Sequence, residues 1–352
     1  MRCFVEHCDA RDFRDEIVSL FGRNGTPISP DHFDWYYGHN GGATVSWVLR
    51  RSPDDDIGGL CSVVPRTLRF GDTLVRAGVM GNLMVDKGSR GIGGLALLRS
   101  AQSLVLNGQL DILLGMPTAA LPIKMIQHLG FRIIGAWQTY LQIFHSRVAL
   151  CARYGTAGAV LSPAVDLIAG LRRRISSFHR ASVFNLTLED LNCSETCRLA
   201  IENWPPLNGH FLAEYSATML GSRFLREPLG NYRLIGVVDR EDKIIRGYLI
   251  VESRRGRVIV WHCRTDVRAL SERDAILSLC RHGRSYADTF GVITLRGSTL
   301  SSTLESSGFV SLPPVLGGAE HSLFGFWKPD HPLARYFQVP SSWNVFPGFS
   351  DV

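Results

Sequence analysis

Between Lys87 and Gly94 the chain places two cations, Lys87 and Arg90, among four glycines, Gly88, Gly91, Gly93 and Gly94. An apolar run ending at Met84-Val85 leads into this stretch, and Leu95-Ala96-Leu97-Leu98 leads out of it. That spacing suits the holding of a diphosphate. The first N–H groups of a helix have no partner within it, and the helix dipole adds positive potential at the same end. Glycines let the main chain approach an anion closely. Lys87 and Arg90 supply charge.

The flanking sequence predicts the elements that position this turn. Arg2–His7 reads as a strand and Asp12–Phe21 as a helix with Phe13, Ile17, Val18 and Phe21 on one face. Asp31–His39, after Pro30, is an aromatic-rich helix bearing Phe33, Trp35, Tyr36 and Tyr37. Thr44–Arg50, Leu60–Phe70 and Thr73–Val85 read as strands, the last two joined into an antiparallel hairpin by Gly71-Asp72. A helix over Gly91–Leu106, a strand over Leu110–Gly115, a helix over Leu121–Leu129 closed by Gly130, and one or two strands over Phe131–Phe144 follow. Residues 146–182 read as a connector with helical parts, carrying Arg172-Arg173-Arg174, His179 and Arg180. A basic amphipathic stretch of this kind, over residues 170–180, also fits contact with a membrane surface. From Val183 the pattern partly repeats. Helical segments are expected around Leu188–Glu202 and Phe211–Arg226, then strands Tyr232–Val238, Ile244–Val251 and Arg257–Arg264, a helix Ser271–Thr289, a strand Gly291–Leu295 and a helix Thr299–Ser306. Leu129-Gly130-Phe131 corresponds to Ser307-Gly308-Phe309, which suggests two copies of one unit. The second has Thr265-Asp266-Val267-Arg268 where the first has its glycine turn, so only one copy can cradle a phosphate.

The 352 residues suffice for two domains, and 45% hydrophobic with 20% charged residues is a globular composition. The net charge of +6 comes without a dense basic run, which argues against a nucleic-acid groove. Eight scattered cysteines form no C-x-x-C pair, so reduced thiols, no metal site and a cytoplasmic setting are expected. No apolar run reaches the roughly 18–20 residues that span a bilayer.

Gly91-Ile92-Gly93-Gly94-Leu95-Ala96 also fits the dinucleotide fingerprint G-x-G-x-x-A, with Asp111 20 residues past Gly91. The strand before the turn belongs to an antiparallel hairpin, however, whereas the fingerprint needs a parallel βαβ unit. Asp111 begins its strand, while a ribose-binding acid sits at the far end of one. No Gly-Lys-Ser/Thr closes a Walker A loop.

Val85–Gly93 resembles the acetyl-CoA motif of the GNAT superfamily of N-acyltransferases, Arg/Gln-x-x-Gly-x-Gly/Ala, with Arg90 first, Gly93 fourth and Leu95 in place of the final small residue. The element order over Leu60–Phe144 agrees. Gly115-Met116-Pro117-Thr118 with Leu129-Gly130-Phe131 resembles a tandem subgroup associated with acylation of cell-envelope polysaccharide or amino sugars. The resemblance implies an α+β fold, mostly antiparallel sheets with flanking helices, as two GNAT-like domains: 1–146 binding acyl-CoA, a connector 147–182, and a degenerate copy 183–352 shaping the acceptor cleft. It implies acetyl-CoA or another acyl-CoA held by Leu83, Met84, Val85, Lys87, Gly88, Ser89, Arg90, Gly91, Ile92, Gly93, Gly94 and Thr118, with a backbone N–H near Leu83–Val85 polarising the thioester carbonyl. The family's tyrosine acid is replaced by Ile126, and its glutamate base falls near Gly81-Asn82, where Asn82 can orient water or substrate. Asp34 and His39 are the candidate bases, Glu6 and His7 weaker ones; His262 reads either as a cleft residue or as a satisfied core histidine, and water is a further candidate.

The expected function is acyl transfer to an amine (a small molecule or a sugar amine) by direct attack in a ternary complex. A CoA sensor or scaffold without catalysis is the rival reading. Transfer from charged tRNA is disfavoured because an intact pyrophosphate turn would then be superfluous. Oligomeric state is open.

Overall fold

The computed structural model describes residues 4–38, 44–50, 52, 55–117, 120–175, 186–191, 204, 209–215, 217–228, 230–254, 256–285, 287–312 and 321–345. The first half follows the alternations of its sequence. β1 (Phe4–Cys8), β2 (Val45–Arg50), β3 (Gly59–Phe70) and β4 (Thr73–Val85) pair antiparallel in that order. β5 (Ile112–Gly115) then joins β4 in parallel. One face is covered by α1 (Arg14–Arg23) and α2 (Pro30–Gly38), packing Ile17, Leu20, Phe33 and Tyr36 on Val48, Leu60 and Val64. The other carries α3 (Ile92–Leu106) and α4 (Ala120–His128), with Leu97, Leu98, Ala101 and Ile126 on Cys61, Val63 and Leu113. Side chains of alternate strand residues reach opposite faces, so each strand serves both layers.

Phe131–Phe144 forms one long strand, β6 (Arg132–Ile143), and its length has a structural reason. Residues 132–136 pair with β14 (Ser322–Phe326), which lies between β5 and β6. Residues 137–143 pair with β12 (Thr289–Leu295), and residues 139–141 also pair with β13 (Val310–Leu312). Beyond β12 the sheet continues through β11 (Arg257–Thr265), β10 (Ile245–Arg254), β9 (Tyr232–Asp239) and β7 (Leu186–Asp190). Among the described residues fifteen strands form one sheet. β5 and β12 hold equivalent places, each parallel to the last strand of the preceding hairpin. The architecture is therefore a mixed α/β fold around a large, mostly antiparallel sheet. A central core draws on both halves, packing Leu68, Val79 and Leu114 with Tyr248, Ile250, Leu295, Leu323 and Trp343.

The second half departs from expectation in three places. The segment from Leu188 is a strand, not a helix: Leu186-Thr187-Leu188-Glu189-Asp190 alternates and adds to the edge at β9. Phe211–Ala213 forms β8, paired with the overhanging end of β3 and with β15 (Trp343–Asn344), so long-range pairing overrides local helix preference there. The helix begun at Ser271 ends at Gly283, and Thr289 already belongs to β12. Residues 192–202, much of the connector's basic end, His39 and Thr118 lie outside the described residues.

Candidate functional site

β4 and β5 pair only at Ala77–Val79 and part beyond it. β4 runs on to Val85 against β3 alone, and between Ser62↔Gly81 and Leu60↔Met84 it carries one residue more than its partner, a β-bulge at Asn82-Leu83. Asn82 takes the left-handed conformation (φ 53°), which asparagine tolerates better than most side chains. Its Nδ2 donates to the Tyr37 hydroxyl (3.1 Å), which lies 3.1 Å from Ser62 Oγ. The bulge bends β4 away from β5 and opens a wedge, whose inner end is filled by Met80 against Gly115. Tyr36, the preceding residue of α2, brings its hydroxyl against Gly81, so closely that a Cβ there would sit 2.2 Å from it. That hydroxyl is buried, and among the described residues it has no hydrogen-bond partner. Burial pushes its pKa up, so it serves as a donor.

At the mouth of the wedge lies the glycine turn. A short 3-10 turn, Lys87–Ser89, leads to Gly91, whose φ of 82° and ψ of −97° suit glycine alone. The first i→i−4 bond of α3 is Leu95 N to Gly91 O (3.0 Å), so the N–H groups of Ile92, Gly93 and Gly94 have no partner within the helix. No side chain caps this end, and no acid lies in its first turn. Gly93 lets the helix sit on Leu49 (a Cβ would be 2.5 Å from Cδ2), and Gly94 gives room to Met125. The turn is fastened to the end of α1. Asp86 accepts from Arg23 (3.1 Å) and from Asn24 (2.8 Å), while Arg90 donates to Asn24 Oδ1 and Val85 O, both at 3.3 Å. Arg23 and Asn24 lie more than sixty residues from the turn in sequence, and no local signal marks them. A cavity of about 280 Å³ runs along the turn, lined by Leu83, Met84, Val85, Arg90, Gly91, Gly94, Pro122 and Met125. Lys87 and Gly88 are exposed beside it, and Ser89 is buried beneath the turn.

The corresponding helix of the second half is built the other way. α7 (Glu272–Gly283) is capped by Ser271 Oγ, which accepts from Asp274 N (3.1 Å), and carries Glu272 and Asp274 in its first turn. Ser271 already takes an N–H of its first turn and Asp274 sets a carboxylate there, which makes this end a poorer seat for a phosphate.

The other sequence candidates are placed plainly. Asp34 is bound by Arg14 through two 2.8 Å contacts, one to each carboxylate oxygen, so its oxygens are already engaged by a guanidinium. Ile126 is buried in the core beneath α3. His7 packs edge-on against Trp47, and Glu6 is an exposed residue of β1. His262 lies buried 3.0 Å from the Tyr248 hydroxyl and edge-on to Tyr215; burial, aided by Arg264, lowers its pKa to about 3. It is a neutral core histidine. Asp111 binds Arg76 through its backbone N–H and its guanidinium, both at 2.7 Å, so the acid of the apparent dinucleotide fingerprint instead ties β5 to β4. Among the described residues no cluster of ligands could hold a metal ion.

No protein-family model matches the sequence, and no curated protein does. Solved structures do match in fold. A conserved protein of unknown function from Enterococcus faecalis, described as a probable N-acyltransferase, aligns with a TM-score of 0.64 at 10% identity over 92% of this chain and 72% of its own. A GCN5-related N-acetyltransferase from Anabaena variabilis gives 0.62 at 12% identity with the same coverages, and one from Kribbella flavida 0.57 at 12% identity, covering 92% and 71%. Over nearly its whole described architecture, then, the chain is similar in fold to solved GCN5-related N-acetyltransferases.

Proposed function

We propose that this chain is an acyl-CoA-dependent N-acyltransferase that moves an acetyl group to an amine, with an amino sugar of a cell-envelope polysaccharide as one acceptor class. The observation that carries the reading is the parting of β4 from β5 at the Asn82 bulge beside an uncapped glycine turn. The residues fit the coenzyme: N–H groups of Ile92–Gly94 lack helical partners at one end of a cavity whose walls, Leu83, Met84, Val85, Pro122 and Met125, are apolar. When bound, acyl-CoA supplies a thioester already activated toward amines.

The chain's own work is then positioning and exclusion of water. The turn from Lys87 to Gly94 holds the pyrophosphate, and the apolar walls keep solvent from the pantetheine arm. At the bulge Tyr36 donates a hydrogen bond, while Asn82 orients the acceptor. The proton shed by the amine goes to water or to His39. Residues 1–146 and 183–352 act as two copies joined by 147–182, and the copy without a phosphate turn shapes the acceptor side.

Calorimetry with acetyl-CoA tests this reading. Wild type binds, and Ile92→Glu, which sets a carboxylate on the exposed first residue of α3 beside the turn, binds at least ~10-fold more weakly. An absence of binding by wild type sinks the proposal. Thiol release with a panel of amino sugars then separates an enzyme from a sensor.

A further inference from the structure

Helix α6 (Thr156–Ile175) is built inside out. Its inward side carries small and polar residues. Gly158 sits so close to α5 (Arg147–Tyr154) that a Cβ would lie 2.2 Å from Leu150 O. Ser162 O accepts from Ser146 Oγ (3.2 Å), and Asp166 Oδ1 accepts from Ser146 N (2.7 Å). The outward side is apolar. Val160 is 78% exposed, Leu161 52%, Leu167 64%, Ile168 65% and Leu171 49%. At 100° per residue these five positions fall on one continuous stripe, with exposed Ala157 and Ala164 between them. Asp166 is the one ionisable residue from Thr156 to Leu171, and it is spent on Ser146, so no charge interrupts the stripe. Isolated exposed apolar residues are ordinary, but a stripe three turns long is not.

The sequence supplies the partner's charge. Arg172, Arg173 and Arg174 follow the stripe directly, and His179 and Arg180 come next in a chain of net charge +6. An apolar helical face ending in a cationic run is complementary to the interface of an anionic bilayer, where acyl chains take the face and lipid phosphates take the guanidinium groups. A second copy of the same cationic surface would bring no anion. No helix of the described residues is long and apolar enough to cross a membrane, so the contact is a surface one.

We propose that α6 is a membrane-surface helix that lays the Val160–Leu171 stripe into an anionic lipid bilayer, anchored by Arg172–Arg174. This is independent of the reading of the glycine turn and goes beyond it.

The test is sedimentation of the full chain with vesicles of pure phosphatidylcholine and of phosphatidylcholine mixed with phosphatidylglycerol. The chain should pellet with the mixed vesicles and lose most of that binding in high salt. Leu167→Gln with Ile168→Gln should weaken binding at least ~10-fold. Arg172→Gln with Arg174→Gln should remove the preference for anionic lipid. Leu167 and Ile168 are exposed and lie off the packed face, so an unchanged melting temperature of their variant shows that the fold is intact. Failure of wild type to pellet with either vesicle overturns the proposal. So does equal binding by the Leu167/Ile168 variant. A dimer that this variant dissolves, without lipid binding by wild type, would assign the stripe to a second copy instead.

Discussion

Gly91→Ala isolates the backbone geometry on which the phosphate turn depends. At φ 82° and ψ −97° an L side chain is strained, yet an added Cβ would meet no heavy atom within 4 Å, so no clash complicates the result. The strain costs about 1–3 kcal/mol, offset by about 0.4–1 kcal/mol from the lower entropy of the unfolded chain. A net loss on the order of 1–2 kcal/mol is expected. It can appear in two places. If the turn keeps its shape, the loss appears in urea unfolding of the free protein. If the turn rotates to relieve strain, the N–H groups of Ile92–Gly94 move off the phosphate, and acetyl-CoA affinity falls by about 5- to 30-fold. Gly108→Ala is the control. It has φ 74°, open space around it, and a place beyond the far end of α3. It should lose similar stability and keep full affinity for acetyl-CoA. The reasoning is refuted if Gly91→Ala changes neither stability nor affinity while Gly108→Ala destabilises.

Two further substitutions separate chemistry from folding. Tyr36→Phe deletes a buried hydroxyl that has no partner among the described residues, so stability should stay level or rise slightly, whereas turnover should fall about 10-fold or more. Turnover equal to wild type would place the reacting atoms elsewhere. Burial raises the Glu272 carboxyl to about 7, although Asn344 Nδ2 donates to it at 2.8 Å. Its proton is therefore bound more tightly in the folded state. The stability it confers is complete below the ordinary carboxylate range and is lost as pH rises through about 7. Glu272→Gln should remove that loss, leaving the variant more stable than wild type at pH 8 by on the order of 3 kcal/mol in urea titrations, with the difference vanishing near pH 4.

Much of the local structure around the glycine turn was legible because its signals are local. Glycines with fixed spacing, the Gly71-Asp72 hairpin and the apolar face of α3 all act within a few residues, and each element stands where its pattern puts it. The absence of glycines before α7 was legible too, and Ser271, Glu272 and Asp274 stand at its start instead. What failed was non-local. Leu186–Asp190 and Phe211–Ala213 become strands because edges of distant strands accept them. Asp34 looked available until Arg14, twenty residues earlier, closed on it. Tyr36 stands in the sequence only as one aromatic among several in its helix, and the bulge at Gly81-Asn82 gives its hydroxyl a destination.

The sequence by itself determined the glycine turn at the start of α3, the α+β class and the basic run after Leu171, since turn chemistry, periodicity and charge are properties of neighbouring residues. Tertiary structure decided the rest. It placed β14 between β5 and β6, fastened Asp86 and Arg90 to Arg23 and Asn24, and turned the apolar stripe of α6 outward. Each depends on which surfaces meet across long stretches of chain. A helical pattern specifies that a face is apolar, and only packing decides whether that face points in or out.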